Sequence, residues 1–254
     1  MEVTQKRLST GLKVNSALDD PINFFTAQEH RMRASDLASR KDGMSEAIQT
    51  IKAANVGIEG INNLIAQAKS LAQSALSAGS TDALAFGTQF GEILTQINEM
   101  AEDSGYKGIN LLQSGELTVE FAPSAGDATL KLTGFGGTDT EFTTIGASVT
   151  SAGWVSNTDV STSVIQSAID GLETAMGDLR TESKKLSSNL SIITAREDFT
   201  SNMTNTLKDG AAKLTEADMN EEGANMLMLQ TRQALGTTSL SMASQAAQSV
   251  LRLF

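Results

Sequence analysis

The sequence of 254 residues contains no cysteine, which excludes disulfides, thiolate chemistry and cysteine-based metal sites. Its single histidine, His30, lies in the charged stretch AQEHRMRAS. A metal centre or a Ser–His relay needs several converging partners, and none is visible around this residue, so we interpret His30 as a surface histidine. No apolar run reaches the roughly 18 residues of a membrane span, and the first residues lack the apolar core of a secretory signal.

Aromatic residues and proline are also scarce: nine Phe, one Tyr, one Trp and two Pro. So few aromatic and proline residues are unusual for a compact enzyme and suit long helices that pack through small aliphatic side chains. The net charge of −11 disfavours nucleic acid and anionic membranes as partners, because both carry negative phosphates. Composition therefore favours an elongated helical protein and makes nucleic acid an unlikely partner.

Two amphipathic helices are predicted in the first half of the chain. From Ser45 to before Gly79, apolar residues recur at alternating steps of three and four, a heptad pattern carried by Ile48, Ile51, Ala54, Ile58, Ile61, Ile65, Ala68, Ala72 and Ala75. After a stop at Gly79, a second helix is predicted with an apolar side of Ala83, Phe86, Phe90, Ile93, Leu94, Ile97 and Met100. Because the connection is tight, the two helices should be antiparallel.

Residues 117–158 are rich in Thr, Ser and Gly and contain the alternating stretches LTVEF and ATLKLT, which predict one or two β-hairpins. An insertion of this size is marginally stable alone. We expect the insertion to pack against the helices through its apolar side chains, namely Val119, Phe121, Leu130, Leu132, Phe135 and Phe142.

Helical periodicity returns near Val160 and predicts a long helix to about Leu207, with Ser183 at a position where the pattern would place another apolar residue. Its apolar residues are Ile165, Ile169, Leu172, Met176, Leu179, Leu186, Leu190 and Ile193. The tail from Gly210 has an apolar stripe with few charges after Arg232. This tail could fold back on the bundle or bury its stripe in another molecule, and composition favours neither.

These patterns predict a mainly α fold, an elongated antiparallel coiled-coil-like helical bundle with a small β-rich insertion. We divide it into the N-terminal helices and their connecting segment (1–116), the β-rich insertion (117–158), a long rod helix (159–208) and a C-terminal helix (209–254).

Motifs at both ends of the chain resemble those of one family. The stretch RLSTGLKVNSALDD, residues 7–20, matches the flagellin signature RLSSGLRINSAKDD almost throughout. The C-terminal pattern LQ-x-x-Q-x-LG-x-x-x-L-x-x-A-x-Q is carried by Leu229, Gln230, Gln233, Leu235, Gly236, Leu240, Ala243 and Gln245. Two long motifs in the right order make the resemblance to bacterial flagellin specific, and the chain is similar to a short form that lacks large outer domains.

The resemblance implies a secreted structural subunit that self-assembles into the extracellular flagellar filament for swimming motility, with no catalytic residue, cofactor or metal. The implied partners are other flagellin subunits, an export chaperone and the filament cap protein. Candidate subunit-contact residues are Arg7, Leu8, Gly11, Asn15, Asp19, Asp20, Leu229, Gln233, Leu235, Leu240, Val250 and Leu253. The alternative is a hook-associated junction protein, which shares similar ends.

Two departures from the family pattern carry further expectations. Flagellins have roughly 25 residues before the RLS motif, whereas Arg7 lies close to Met1 here, so we expect an N-terminally truncated chain that polymerises poorly. The segment recognised by Toll-like receptor 5 is Gln-Arg-Val-Arg-Glu-Leu in activating flagellins and AQAKSL here, at residues 66–71. With Gln67, Lys69 and Leu71 as the candidate receptor residues, the lost arginine and glutamate predict weak or no recognition.

Acidic clusters such as Glu99, Glu102 and Asp103 could be read as an enzymatic acid–base or metal site. Without a histidine, cysteine or phosphate-binding loop beside them, helix-spaced carboxylates are far more often solvated helix faces. An enzyme is therefore the least favoured class.

Overall fold

A computed structural model describes residues 1–122, 128–135, 153–156 and 159–251, with side chains as far as residue 248. The chain forms two compact units. The terminal unit comprises Met1–Ser35 and Met203–Phe254, and the central unit comprises Asp36–Asn202. Each unit is described by itself below.

The described elements are five helices and four short strands. In chain order they are α1 (Glu2–Thr10), α2 (Pro21–Leu76), α3 (Ser80–Asp103), β1 (Glu116–Glu120), β2 (Thr129–Thr133), β3 (Val155–Ser156), β4 (Asp159–Val160), α4 (Thr162–Thr215) and α5 (Met219–Leu251). The mainly α fold with a small β insertion is confirmed. None of the helices in the described part of the chain combines the length and hydropathy needed to cross a lipid bilayer.

Helix α2 begins at Pro21, well before the predicted start near Ser45. The Asp20 carboxylate accepts a hydrogen bond from the Asn23 backbone N–H at 3.1 Å, and the fixed φ of Pro21 suits a first helical residue. The heptad pattern placed the start too late because the buried residues of this first part are few and widely spaced, namely Ala27, Ala34, Leu37 and Met44. Helix α3 begins at Ser80, as predicted.

The predicted heptad face of α2 lies in the core of the central unit. All nine of its residues from Ile48 to Ala75 are buried, together with most of the predicted apolar faces of α3 and α4. Ser183, which interrupts the apolar pattern of α4, is half-buried and its hydroxyl donates to Asn55 Oδ1 at 3.4 Å. The long-range packing predicted from periodicity is thus confirmed.

Glycines allow α2 and α3 to approach closely. A Cβ atom on Gly57 would lie 2.0 Å from Ser104 Oγ, and one on Gly60 would lie 2.4 Å from Met100 Sδ. The end of α3 therefore packs against the middle of α2, while the start of α3 follows directly after the end of α2. The two helices are antiparallel, as the tight connection predicted.

The first hairpin of the insertion is antiparallel, with Glu116 opposite Thr133 and Glu120 opposite Thr129. Its inner residues, Val119 and Leu132, are buried in the core of the central unit. Phe121, Leu130 and Phe135 pack against this core, as expected, while Phe142 lies outside the described residues.

Two arginines attach this hairpin to the helices. Arg40 of α2 forms an ion pair with Glu120, and the Arg196 guanidinium of α4 lies 5.3 Å from the centroid of the Phe121 ring. A further contact joins Trp154 to Phe90 of α3, with ring centroids 4.7 Å apart and the indole almost fully buried. The insertion therefore depends on side chains supplied by three helices.

Helix α4 continues to Thr215, past its predicted end near Leu207, and residues 216–218 separate it from α5. The predicted division at 208/209 falls within α4. The pattern of large apolar residues ends before the helix does. The buried residues of the last part of α4 are small or polar, namely Thr200, Thr204, Ala211 and Thr215, and do not extend that pattern.

We expect Gly57→Ala to destabilise the protein by about 1–3 kcal/mol, because the new methyl group would overlap Ser104 and Leu112. Gly43→Ala is the matched control: Gly43 is an exposed glycine of the same helix with open space around it, so alanine should stabilise by about 0.5–1 kcal/mol. Chemical denaturation followed by the fluorescence of the single tryptophan measures both. Equal effects of the two substitutions would contradict the close approach.

Candidate subunit-contact surface

In the terminal unit, the opening motif pairs with the junction between α4 and α5. The backbone N–H groups of Lys13 and Val14 donate to the Thr215 carbonyl at 2.8 and 3.2 Å, and Ala217 N–H donates to the Gly11 carbonyl at 2.9 Å. Leu12 and Glu216 form an antiparallel bridge between these segments. Residues from the two ends of the sequence are thus joined by backbone hydrogen bonds.

Gly11 makes this pairing possible because it ends α1 in the left-handed conformation, with φ of 70°. Its N–H donates to the Arg7 carbonyl at 2.8 Å and closes the last turn of the helix. The chain then leaves the helix axis in the direction of α4. A side chain at this position would strain the backbone.

A charged pair connects α1 to α5. Arg7 Nη1 lies 2.8 Å from Glu222 Oε1, and the Glu222 side chain is only 10% exposed. Glu222 is in the first turn of α5, where a carboxylate also interacts favourably with the helix dipole. Asp218 caps this turn by accepting from the N–H groups of Asn220 and Glu221 at 2.9 and 3.3 Å.

Thr215 is the most heavily bonded residue of this region. Besides its carbonyl contacts, its buried hydroxyl accepts from Arg31 Nη2 and donates to the Ala211 carbonyl, each at 2.9 Å. The Lys13 ammonium donates to the Lys213 carbonyl at 2.8 Å. His30, interpreted from sequence as a surface residue, is half-buried close to Gly210.

Asp19 and Asp20 organise the turn that precedes α2. Asp19 Oδ2 accepts from the backbone N–H groups of Asn15 and Ser16 at 3.1 and 3.0 Å. These backbone bonds hold the pKa of Asp19 below its ordinary value, and the bond from Asn23 N–H does the same for the pKa of Asp20. The charged form of each carboxylate therefore stabilises the turn.

The terminal unit buries small residues and exposes large ones. Its buried apolar side chains, among the described residues, are Val14, Ala27, Ala34 and Ala211. Every described side chain of α5 from 230 to 248 is solvent-exposed, including Leu235 at 62% and Leu240 at 74%. No charged residue occurs between Arg232 and Arg252 to solvate this stretch.

The predicted contact residues of the terminal unit differ in their exposure to solvent. Arg7, Leu8, Gly11, Asp20 and Leu229 are half-buried within the chain; Asn15, Asp19, Gln233, Leu235 and Leu240 are exposed. The side chains of Val250 and Leu253 lie outside the described part. In the central unit, Gln67 is exposed, Leu71 is half-buried, and Lys69 pairs with Glu173 at 2.5 Å.

Comparison with known proteins identifies the family. The model of the bacterial flagellin N-terminal helical region matches residues 1–116, and that of the C-terminal helical region matches residues 163–254. The chain belongs to the bacterial flagellin family. Flagellins are structural proteins of the flagellar filament, and the resemblance seen in the terminal motifs is confirmed.

Relatives of this flagellin match along its length. A Brucella melitensis flagellin is 29% identical over 100% of this chain and 91% of its own length, and flagellin FljM of Caulobacter vibrioides is 29% identical over 98% and 89%. The crystal structure of Bacillus cereus flagellin matches with a TM-score of 0.50 at 15% identity, over 62% of this chain and 88% of that one. This last likeness supports the fold alone.

The contacts made by several residues of this region could not be predicted from the sequence. Thr215, Arg31 and Glu222 are not marked by hydropathy, and their partners are about 180 to 215 residues away in the sequence. The acidic residues just before and within the start of α5 are a local signal of its first turn, but they do not reveal that Arg7 lies opposite. Among the described residues, no group of three or more His, Asp or Glu side chains is placed to hold a metal ion.

We expect Glu222→Gln to loosen α1 from α5, because removing one charge leaves Arg7 without its partner in a partly buried setting. The substitution should increase hydrogen exchange of α1 amides by roughly tenfold, corresponding to about 1.4 kcal/mol. Glu221→Gln is the matched control, since Glu221 is an exposed neighbour in the same turn. Equal exchange in both variants would contradict a structural role for the pair.

We expect the Asp19 turn to weaken in acid. Folding lowers the pKa of Asp19. The charged carboxylate therefore stabilises the folded turn above the ordinary carboxyl pKa, and this stabilisation is lost as pH falls through the pKa of the folded state. Asp19→Asn should therefore reduce the protection of the Asn15 and Ser16 amides at neutral pH, and the difference from the wild-type chain should shrink as pH falls through the folded pKa. Amide exchange measured over a series of decreasing pH values checks this, and a difference that does not shrink in acid would contradict it.

Proposed function

We propose that this chain is a subunit of an extracellular flagellar filament for swimming motility, and that copies associate through the terminal unit. Family membership supports the filament role, and the surface of the terminal unit supports the location of the contacts.

The observation that carries the proposal is the uneven distribution of exposed large apolar side chains. Of the sixteen such residues in the described part of the chain, twelve belong to the terminal unit and four to the central unit, although the central unit is the larger. The four are Val56, Leu84, Ile192 and Phe199. Concentrations of exposed apolar surface mark protein interfaces, so the terminal unit is the part that another molecule should cover.

The terminal unit offers two different apolar surfaces. One is on α5 and includes Leu235 and Leu240; the other, around the start of α2, includes Leu18, Ile22 and Phe25. Contacts between unlike surfaces of identical copies do not have to close into a ring and can continue as an open helical assembly. Exposed polar residues of the opening motif, such as Asn15, would add hydrogen bonds that specify the register between copies.

Two partners act before and during assembly in this proposal. An export chaperone would cover the apolar surface of α5 while the subunit is unassembled, and the filament cap protein would guide its addition. Capture of the purified chaperone by the wild-type chain, but not by a Leu235→Ser, Leu240→Ser variant, would support the first. Equal capture by both would contradict it.

We also propose weak or no recognition by Toll-like receptor 5. The candidate segment offers Gln67 where activating flagellins have arginine, and its Lys69 is paired with Glu173 within the chain. A receptor reporter assay at matched protein concentration tests this. Activation equal to that of an activating flagellin would contradict it.

The filament proposal predicts that Leu235→Ser combined with Leu240→Ser abolishes or greatly shortens filaments while leaving the helix content of the unassembled chain unchanged. Both side chains are mostly exposed, so the isolated fold does not depend on them. Leu84→Ser combined with Val56→Ser is the matched control, with exposures of 62% and 70% in the central unit. Electron microscopy of cells that produce each variant as their sole copy measures filament length.

Filaments of normal length from the α5 variant would contradict the proposal, as would equal loss in the control. Labelling of the wild-type chain in assembled flagella distinguishes a filament subunit from a hook-associated junction protein. Label along the whole filament supports the filament subunit, and label confined to the base would support a hook-associated junction protein.

A further inference from the structure

The methionines of the two units differ in their exposure to solvent. Of the ten in the chain, three belong to the central unit, where Met44 is buried in the core and Met100 and Met176 pack against it half-buried. The terminal unit contains the others, and five of these are exposed, namely Met1, Met32, Met219, Met228 and Met242. Every exposed methionine of the chain therefore belongs to the terminal unit.

Two of these methionines lie on the same side of α5. Met228, Leu235 and Met242 are spaced by seven residues, which is close to two helical turns, so the three side chains form one row. All three are exposed, at 47%, 62% and 59% in that order. The row is part of the apolar surface of α5 that the proposed function assigns to contact with another copy. Association would therefore bury two thioethers beside Leu235.

A thioether reacts with hydrogen peroxide without the help of a cofactor. The sulfur lone pair attacks one peroxide oxygen, an S–O bond forms and the O–O bond breaks. The proton of the transferred oxygen goes to the departing hydroxide, which leaves as water, so the sulfur loses the two electrons that reduce the peroxide. The product, methionine sulfoxide, is polar and is reduced back by methionine sulfoxide reductases. Burial of a polar group that finds no hydrogen-bond partner opposes association.

We propose that Met228 and Met242 are an oxidation-sensitive site of the unassembled chain, at which peroxide turns the apolar row of α5 into a polar one and so prevents association with another copy. Oxidation of Met219 should not have this effect. It lies nine residues before Met228, two and a half turns away, and is therefore on the opposite side of the helix. This inference rests on the proposed function, because it requires another copy to cover the α5 surface.

The test treats the full wild-type chain and a Met228→Leu, Met242→Leu variant with hydrogen peroxide. Peptide mass spectrometry measures sulfoxide at each methionine, and the weight-average mass from sedimentation measures self-association. Met44 is the internal reference for the rate of oxidation, because it is fully buried and should stay reduced while the chain is folded.

Leucine keeps the row apolar at a similar volume, so the untreated variant should associate like the untreated wild-type chain. After treatment, the concentration at which the wild-type chain associates should rise on the order of tenfold or more, whereas that of the variant should not change. A methionine sulfoxide reductase should restore association of the wild-type chain.

Met219→Leu is the matched control, since it removes an exposed thioether from the same helix outside the row, and it should remain as sensitive to peroxide as the wild-type chain. Circular dichroism should show unchanged helix content after treatment, because the side chains of Met228 and Met242 are exposed.

Three results would overturn this inference alone: equal loss of association in the wild-type chain and the double variant, full association of a wild-type chain oxidised at both positions, or loss of helix content on oxidation. An untreated wild-type chain that does not associate at any concentration would overturn it together with the proposed function.

Discussion

The backbone pairing between residues 11–14 and 215–217 is the interaction on which the terminal unit depends. It joins parts of the sequence about 200 residues apart, and the Arg7–Glu222 ion pair and the bonds to Thr215 are placed around it. Few apolar side chains are buried in this unit, so directional bonds contribute a larger share of its specificity than in the central unit. This explains why the opening motif is polar although it is part of the folded structure.

The central unit is stabilised in a different way. Its core contains long rows of Ile, Leu and Ala from α2, α3 and α4, and small residues let α2 and α3 approach closely at Gly57 and Gly60. Such a core needs no neighbouring molecule to remove its apolar surface from water. The terminal unit, in contrast, leaves large apolar side chains of α5 exposed to solvent, and that difference is the physical basis for the proposal that it makes the intermolecular contacts.

Much of the fold could be predicted because helical periodicity reports burial directly. The heptad residues of α2 from Ile48 to Ala75 are all buried, and the Thr- and Gly-rich composition correctly indicated a β insertion. The start of α2 and the end of α4 were placed wrongly because the buried residues of those parts are few and are mostly alanine and threonine. The packing of Trp154 on Phe90 also had no local signal, since it depends on how the insertion folds over α3.

By itself, the sequence determined the family, the helical periods and the helix stop at Gly79, because each depends on residues within a few positions of one another. Only the tertiary structure decided that Arg7 meets Glu222, that Thr215 binds both Arg31 and the opening motif, and which apolar residues of α5 stay exposed. These contacts join residues about 200 positions apart. Local propensities carry no information about such distances, so the folded chain alone brings these groups together.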